Sequence, residues 1–358
     1  MTQATRSFIP EFEQCPPTAE QLEYIDLVNL DFSEYEDPTT RQHLVGGLLD
    51  GVTTHGFLTI SNHGIPEELY SLQVDIAHAL LTIPAEEKKP YEATPEQDAR
   101  GQYAGFKPSG VLSSREGFHK TLDHYDIPAY NPANREHPPL LQQHMDRVTE
   151  LMRMMRHDVL QKLLVLVSMV LEVPEDRILS THTTTDTSEY LRYLLYSPRP
   201  TSCADNSNQY RDLYLGGHTD WGSFTLLFSQ PVSALQIKTS SGEWEWVKYI
   251  PGALIVNVGE ALELLTGGLF KASIHRVVKP PADQETAKRI GVVYFARPSN
   301  GQRLEPVDSP MLRRLGIDKP VDEKIYTMLE YFYARKHGYK RLDFGRGRPK
   351  PEACQVKV

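Results

Sequence analysis

The chain has 358 residues, a hydrophobic fraction of 40% and a formal net charge of −9, enough apolar material for a large buried core. The acidic balance argues against a general phosphate-binding surface and so against nucleic acid as a partner. Cys15, Cys203 and Cys354 lie far apart and supply neither a disulfide framework nor a cysteine-rich zinc module.

In chain order, residues 1–22 are polar, contain prolines and read as a loosely held arm; MTQATRSFIPEFEQ has no apolar stretch of the kind a secretory leader carries. EYIDLVNLDF predicts a first short strand. TTRQHLVGGLLDGVTTHG spaces its apolar residues as a helix does and ends on glycine, and FLTISNHG follows as a strand. IPEELYSLQVDIAHALLTIPAEEKKPYE predicts a second helix, with Pro66 at a permitted first-turn position. Residues 93–136 are rich in Gly, Pro, Ser and aromatics and predict a long functional loop. PPLLQQHMDRVTELMRMMRHDVLQKLLVLVSMVLEV predicts one long helix. Its apolar run LLVLVSMVLEV is too short to span a bilayer, so a cytoplasmic, reducing setting is expected.

Beyond residue 188 the pattern changes to short β-rich runs: YLRYLLYSP, FTLLFS, ALQIKT, EWVKYI, ALIVNVG, KASIHRVVK and RIGVVYFARP. Such a series predicts an antiparallel barrel or jelly roll. The tail after residue 320 turns helical and ends basic, and is expected to be mobile. The reading divides the chain at 1–185 (helices and strands), 186–320 (the β-rich part) and 321–358 (helix and tail), together one compact unit.

Three His-x-Asp triplets occur: His124-Tyr125-Asp126, His144-Met145-Asp146 and His218-Thr219-Asp220. Residues i and i+2 share a face in a strand but lie about 200° apart on a helix. His144 and Asp146 fall inside the long helical pattern and therefore cannot chelate together. His124 and Asp126 lie where HYDIP can be extended, so geometry does not exclude them, although no later strand offers an obvious third partner. His218 and Asp220 follow Gly216 and Gly217 and precede the strand SFTLLF, and His275 stands downstream at the middle of KASIHRVVK. Two strand histidines and one carboxylate make the facial triad of non-haem Fe(II) oxygenases, with open coordination positions. Arg289 opens RIGVVYFARP. It is either a surface strand end or a guanidinium pointing into the barrel to clamp a carboxylate. Tyr196 is either core or a hydroxyl for that same carboxylate.

Together these residues resemble the 2-oxoglutarate- and Fe(II)-dependent dioxygenases, in the branch that contains isopenicillin N synthase and plant flavonoid oxygenases. YIDLVNLDF, GFLTISNHGIP and PAEEKKPYE carry the likeness in the N-terminal half. GGHTDWGSFTLLF, ALQIKTSSGEWEWVKYIPGALIVNVGEALELLTGGLFKASIHRVV and RIGVVYFARP carry it in the C-terminal half, in order and spacing. GFKPSG and HTDWGS are similar to fungal members that tailor secondary metabolites. The resemblance implies an α+β fold: a distorted double-stranded β-helix (jelly roll) core with flanking helices from the N-terminal half. It implies Fe(II) held by His218, Asp220 and His275, with 2-oxoglutarate and O2 as cosubstrates and Arg289, assisted by Tyr196, on the distal carboxylate of 2-oxoglutarate. The family's Arg-x-Ser is Arg289-Ile290-Gly291 here, and its Gly-Asp is Gly259-Glu260.

The substrate wall is expected from Tyr103, Phe106, Phe118, His119 and Tyr125 in the long loop, with Trp221 and Phe295. Such a lining suits a small, largely apolar organic metabolite of secondary metabolism, undergoing hydroxylation, desaturation or oxidative rearrangement. Two other readings stand beside this one. The first is an Fe(II)/O2 oxidase of the same fold that uses no 2-oxoglutarate, with Arg289 on the substrate's own carboxylate. The second is an inactive jelly-roll binding module.

Overall fold

The computed structural model describes residues 9–94, 96–97, 104–107, 122–130, 132, 135–198 and 212–338. The strands in chain order are β1 (Asn29–Asp31), β2 (Phe57–Ser61), β3 (Gly105–Phe106), β4 (Leu122–Pro128), β5 (Tyr190–Tyr196), β6 (Leu213–His218), β7 (Phe224–Phe228), β8 (Leu235–Lys238), β9 (Trp244–Trp246), β10 (Leu254–Val258), β11 (His275–Val278) and β12 (Arg289–Phe295). Hydrogen bonds join β1-β2-β10-β7-β12-β5-β4-β3 into one sheet and β6-β11-β8-β9 into a second. All neighbours pair antiparallel except β1 and β2. The two sheets face each other across a cavity lined from both, which is the jelly roll that the sequence predicts. Both the 1–185 and the 186–320 stretches contribute to the larger sheet, since β2 pairs with β10 and β4 with β5.

The alternation in β12 shows how the layers are divided. Ile290, Val292 and Tyr294 join the main apolar cluster, while Arg289, Val293 and Phe295 line the cavity. The cluster also takes Leu48 from α1 (Pro38–Thr54), Leu80 from α2 (Glu67–Leu81), Leu151 from α3 (Met145–Met154) and Leu163 from α4 (Gln161–Val170). Each side chain of this size buried there contributes about 1.5–3 kcal/mol. The helices therefore clamp one face of the large sheet and leave its other face to the cavity.

Several expectations are corrected. Of EYIDLVNLDF only Asn29–Asp31 is strand, with Tyr24 bridging Trp246. Pro66 is the N-cap of α2, outside its first turn, and Pro84 ends the predicted second helix. A short helix Ala85–Lys88 and a 3-10 turn Lys89–Tyr91 follow. The predicted long helix breaks at His144, whose backbone (φ −115, ψ 11) leaves the helical region, and again at a π-helical turn, Met155–Leu160. That wide turn carries buried Arg156, whose Nη1 donates to Glu189 Oε1 at 3.0 Å.

The loop expected at 93–136 contains β4, paired along its whole length with β5. Of EWVKYI only Glu245 and Trp246 are strand, as the end of β9. The arm is tied down over residues 9–19: Phe12 N–H donates to Asp75 at 2.7 Å, Ala19 N–H to Asp283 at 2.8 Å, and Gln284 to Pro16 O at 2.7 Å. At the other end, α5 (Glu260–Leu265) and α6 (Met328–Lys336) complete the helices used below. The basic tail beyond residue 338 lies outside the described residues. Among those described, no helix is long and apolar enough to cross a membrane.

Candidate active site

β6 and β11 pair with His218 directly opposite His275, and opposed residues on neighbouring strands project to the same face. Their ring centroids are 4.3 Å apart. His275 opens its strand; it does not sit at the middle, as the sequence suggests. Asp220, just past the end of β6, brings Oδ1 to 3.8 Å from His218 Nε2 and Oδ2 to 3.9 Å from His275 Nε2. One donor atom from each lies within 4.8 Å of the others, and no second group of this kind occurs among the described residues. β6 is not among the seven β-rich runs read from the sequence, although His218 is taken there as a strand histidine.

The surroundings aim these donors. His218 Nδ1 is 3.0 Å from Gly216 O and His275 Nδ1 is 3.2 Å from Ser273 O. With Nδ1–H donated to those carbonyls, both Nε2 lone pairs turn toward Asp220. Asn257 of β10 stands in register with Thr225 of β7, and both donate to Asp220 Oδ2, at 2.8 and 2.7 Å. Burial alone would raise the Asp220 carboxyl, but His275, His218 and these two hydrogen bonds outweigh it and hold the group below the ordinary carboxylate value. Burial, with the His218 ring adding to it, pushes His275 down to about 4. An anionic oxygen and two imidazole nitrogens converging on one point fit a divalent first-row metal with positions left open.

The cavity above this trio holds about 320 Å³. Arg289, 5% exposed, lies in its wall with its guanidinium carbon 5.3 Å from the Tyr196 ring centre, and its Nε has no hydrogen-bond partner. No carboxylate among the described residues pairs with it. Burial lowers the Arg289 pKa and raises that of Tyr196. A buried cation of this kind calls for an anion that the described residues do not supply.

Trp221 and Phe295 line the cavity; Phe295 stacks on Tyr190 at 4.7 Å and Trp221 meets Phe332 at 5.4 Å. Phe106 and Tyr125, expected on the substrate wall, do not line it. They pack on each other at 4.6 Å, with the Tyr125 hydroxyl 2.7 Å from His137 Nδ1, because β3 and β4 turn them into the core. Tyr103, Phe118 and His119 lie outside the described residues. Of the rival triplets, His124 lines the cavity, but Asp126 is engaged by Arg192, with Nη2 donating to Oδ2 at 2.8 Å. His144 is buried at the helix break while Asp146 is exposed. Lys107, His124, Arg192 and Arg297 also line the cavity, so it carries more charge than the sequence suggests.

Sequence reasoning missed Thr225 and Asn257, and it read Glu260 only as a variant of the family's acidic residue. Glu260 opens α5 where Gly259 presses on Gly222; a Cβ on Gly259 would lie 2.2 Å from Gly222 O. Its carboxylate accepts from Thr219, from the Tyr331 hydroxyl at 2.6 Å and from Arg335 at 2.8 and 2.9 Å. The longer side chain thus ties the turn carrying Asp220 to α6. Truncating one partner of such a buried pair costs roughly 3–5 kcal/mol. Glu260→Ala should accordingly lower the thermal midpoint by roughly 5–10 °C in a scanning fluorimetry assay; an unchanged midpoint would remove this role.

Ser223 in the same turn is braced by His182 Nε2 at 2.7 Å. Burial, with Arg156 adding to it, pushes His182 down from 6.5 to about 3. Between those values the unfolded histidine holds a proton that the folded one does not, so stability falls as pH drops from about 6.5 toward 3. Urea unfolding of metal-free protein across this window should show that loss. His182→Asn should flatten the slope by about 1.4 kcal/mol per pH unit.

Residues 189–298 match the 2OG-Fe(II) oxygenase superfamily, and residues 25–147 match the non-haem dioxygenase in morphine synthesis N-terminal family. A homoarginine-6-hydroxylase of Oryza sativa subsp. japonica is 26% identical over 75% of this chain and 82% of its own length. A scopoletin 8-hydroxylase of Arabidopsis thaliana is 24% identical over 92% of this chain and 85% of its own. A full-length Neurospora crassa protein solved with alpha-KG and thymine shares the fold, with a TM-score of 0.74, 19% identity and coverage of 88% of this chain and 97% of its own.

Proposed function

Since the chain belongs to the 2OG-Fe(II) oxygenase superfamily, we propose that it oxidises a small ring-containing organic metabolite, using His218, Asp220 and His275 to hold Fe(II) and Arg289 to hold the distal carboxylate of 2-oxoglutarate. Arg289 carries this reading: a buried guanidinium in the cavity wall, with no carboxylate partner among the described residues. Fe(II) bound there supplies the activation of O2 that couples decarboxylation of 2-oxoglutarate, giving succinate and CO2, to oxidation of a substrate C–H bond.

The chain's own residues bind, aim and exclude water. Thr225 and Asn257 fix one oxygen of Asp220, and the backbone carbonyls of Gly216 and Ser273 fix the two imidazoles. Arg289 sets where 2-oxoglutarate lies, so its keto-acid end is presented at the histidines. Phe57, Leu227 and Val293 keep the space around them apolar. The substrate lies against Trp221 and Phe295, whose flat faces favour a planar ring. Scopoletin, named with one similar protein, is a planar ring with a carbonyl acceptor and supports this class, whereas homoarginine, named with another, is an open-chain amino acid.

The test is a mass-spectrometric screen of ring acids, coumarins and pyrimidines with Fe(II), ascorbate and 2-oxoglutarate. A product one oxygen heavier, or two hydrogens lighter, in one of these groups supports the reading. Turnover confined to saturated, uncharged compounds would contradict it.

A further inference from the structure

Beside the strand that carries Arg289 stands a second buried polar group without a hydrogen-bond partner. Gln230, just past the end of β7, is 7% exposed, and neither its Nε2 nor its Oε1 makes a hydrogen bond among the described residues. Buried polar atoms in folded proteins are nearly always paired. Two such exceptions beside one strand, this amide and Arg289 Nε, point to a ligand that completes them.

Alternation along β12 puts Arg289, Gly291 and Val293 on one face, and the outer two of these line the cavity. At Gly291, between them, a Cβ would lie 3.5 Å from Gln230 Nε2 and 3.2 Å from Leu194 Cβ and Cδ1. The amide therefore stands beside the strand position next to Arg289 on its cavity face, about 7 Å along the strand. The space a side chain at 291 would claim is contested by Leu194 and by this amide.

We propose that Gln230 is a positioning residue for 2-oxoglutarate: its Nε2 donates to the distal carboxylate that Arg289 holds, and the missing side chain of Gly291 leaves room for it. This rests on Arg289 binding that carboxylate. A guanidinium has only donors and cannot satisfy an amide N–H, whereas a carboxylate accepts from both. Gln230 so takes over, from the neighbouring strand's end, a hydrogen bond that a hydroxyl at position 291 would otherwise offer.

The test is calorimetric titration of Mn(II)-loaded full-length protein under argon, comparing 2-oxoglutarate with 2-oxopentanoate, which keeps the keto-acid end and lacks the distal carboxylate. Gln230→Ala should raise the Kd for 2-oxoglutarate about 10- to 100-fold, the value of one hydrogen bond to a charged group. Gln230→Glu should raise it further, since carboxylate then faces carboxylate. Both should bind 2-oxopentanoate as the parent does. Gln230→Met, of equal length, replaces the alanine variant if that chain does not fold. A parent-like Kd for 2-oxoglutarate in Gln230→Ala, or an equal loss for 2-oxopentanoate, overturns the proposal. Arg289→Ala in the same titration separates the two levels: parent-like affinity there removes the carboxylate site itself, while loss there without loss in Gln230→Ala removes only the role of Gln230.

Discussion

Arg289→Ala raises the 2-oxoglutarate concentration needed for half-maximal turnover by two orders of magnitude or more. The guanidinium is 5% exposed and lies in the cavity wall with no carboxylate partner among the described residues. A dicarboxylate entering that wall without it places an uncompensated charge in a dry pocket, at a cost of roughly 3–5 kcal/mol. Arg289→Lys keeps the charge but loses the fork that grips two oxygens, and should fall between the parent and the alanine variant. The ligand-free thermal midpoint gives an internal control. Because the cation has no anionic partner among the described residues, its removal should move that midpoint by only a few degrees. A parent-like 2-oxoglutarate dependence in Arg289→Ala would remove Arg289 as the clamp, whereas parent turnover that needs no 2-oxoglutarate would favour an oxidase in which it plays no part.

The second large effect falls on the three donors. Alanine at His218, Asp220 or His275 should abolish turnover and reduce bound iron, measured by elemental analysis, while far-UV circular dichroism stays close to the parent's. Each variant leaves two of three protein donors, and no other group of three is present among the described residues. Asp220→Ala should be the most damaging, since it removes the anionic donor and also leaves Thr225 and Asn257 without their acceptor. His124→Ala and His144→Ala should keep parent-like iron content, because Asp126 is engaged by Arg192 and Asp146 is exposed. Near-normal activity in any one of the three ligand variants would overturn that residue's assignment.

The site was legible in the sequence where chemistry and local geometry coincide. His218 and Asp220 are spaced for an extended chain, and a strand separates either from a chelating helix pair. β5, β7, β10 and β12 were readable because runs such as YLRYLLY and RIGVVYF are rich in residues that suit a buried sheet. β4 was hidden by its Gly- and Pro-rich flanks, and the helix break at His144 by an apolar spacing that continues across it.

The supporting residues were unreadable for a different reason. Thr225 and Asn257 meet at Asp220 only because β7 and β10 pair in one particular register. Glu260 matters through Arg335 and Tyr331, on a helix far along the chain. Gln230 stands out only when its neighbours are seen to leave it unpaired. None of these partnerships leaves a pattern in the local sequence.

The most direct measurement is release of labelled CO2 from 2-oxoglutarate labelled at the carboxyl beside its keto group, with Fe(II), O2 and a substrate from the screen. Labelled CO2 should appear in step with succinate and oxidised substrate, depend on Fe(II) and O2, and vanish in Asp220→Ala. A protein that oxidises its substrate while releasing no labelled CO2, or an Asp220→Ala chain that releases as much as the parent, would contradict the account.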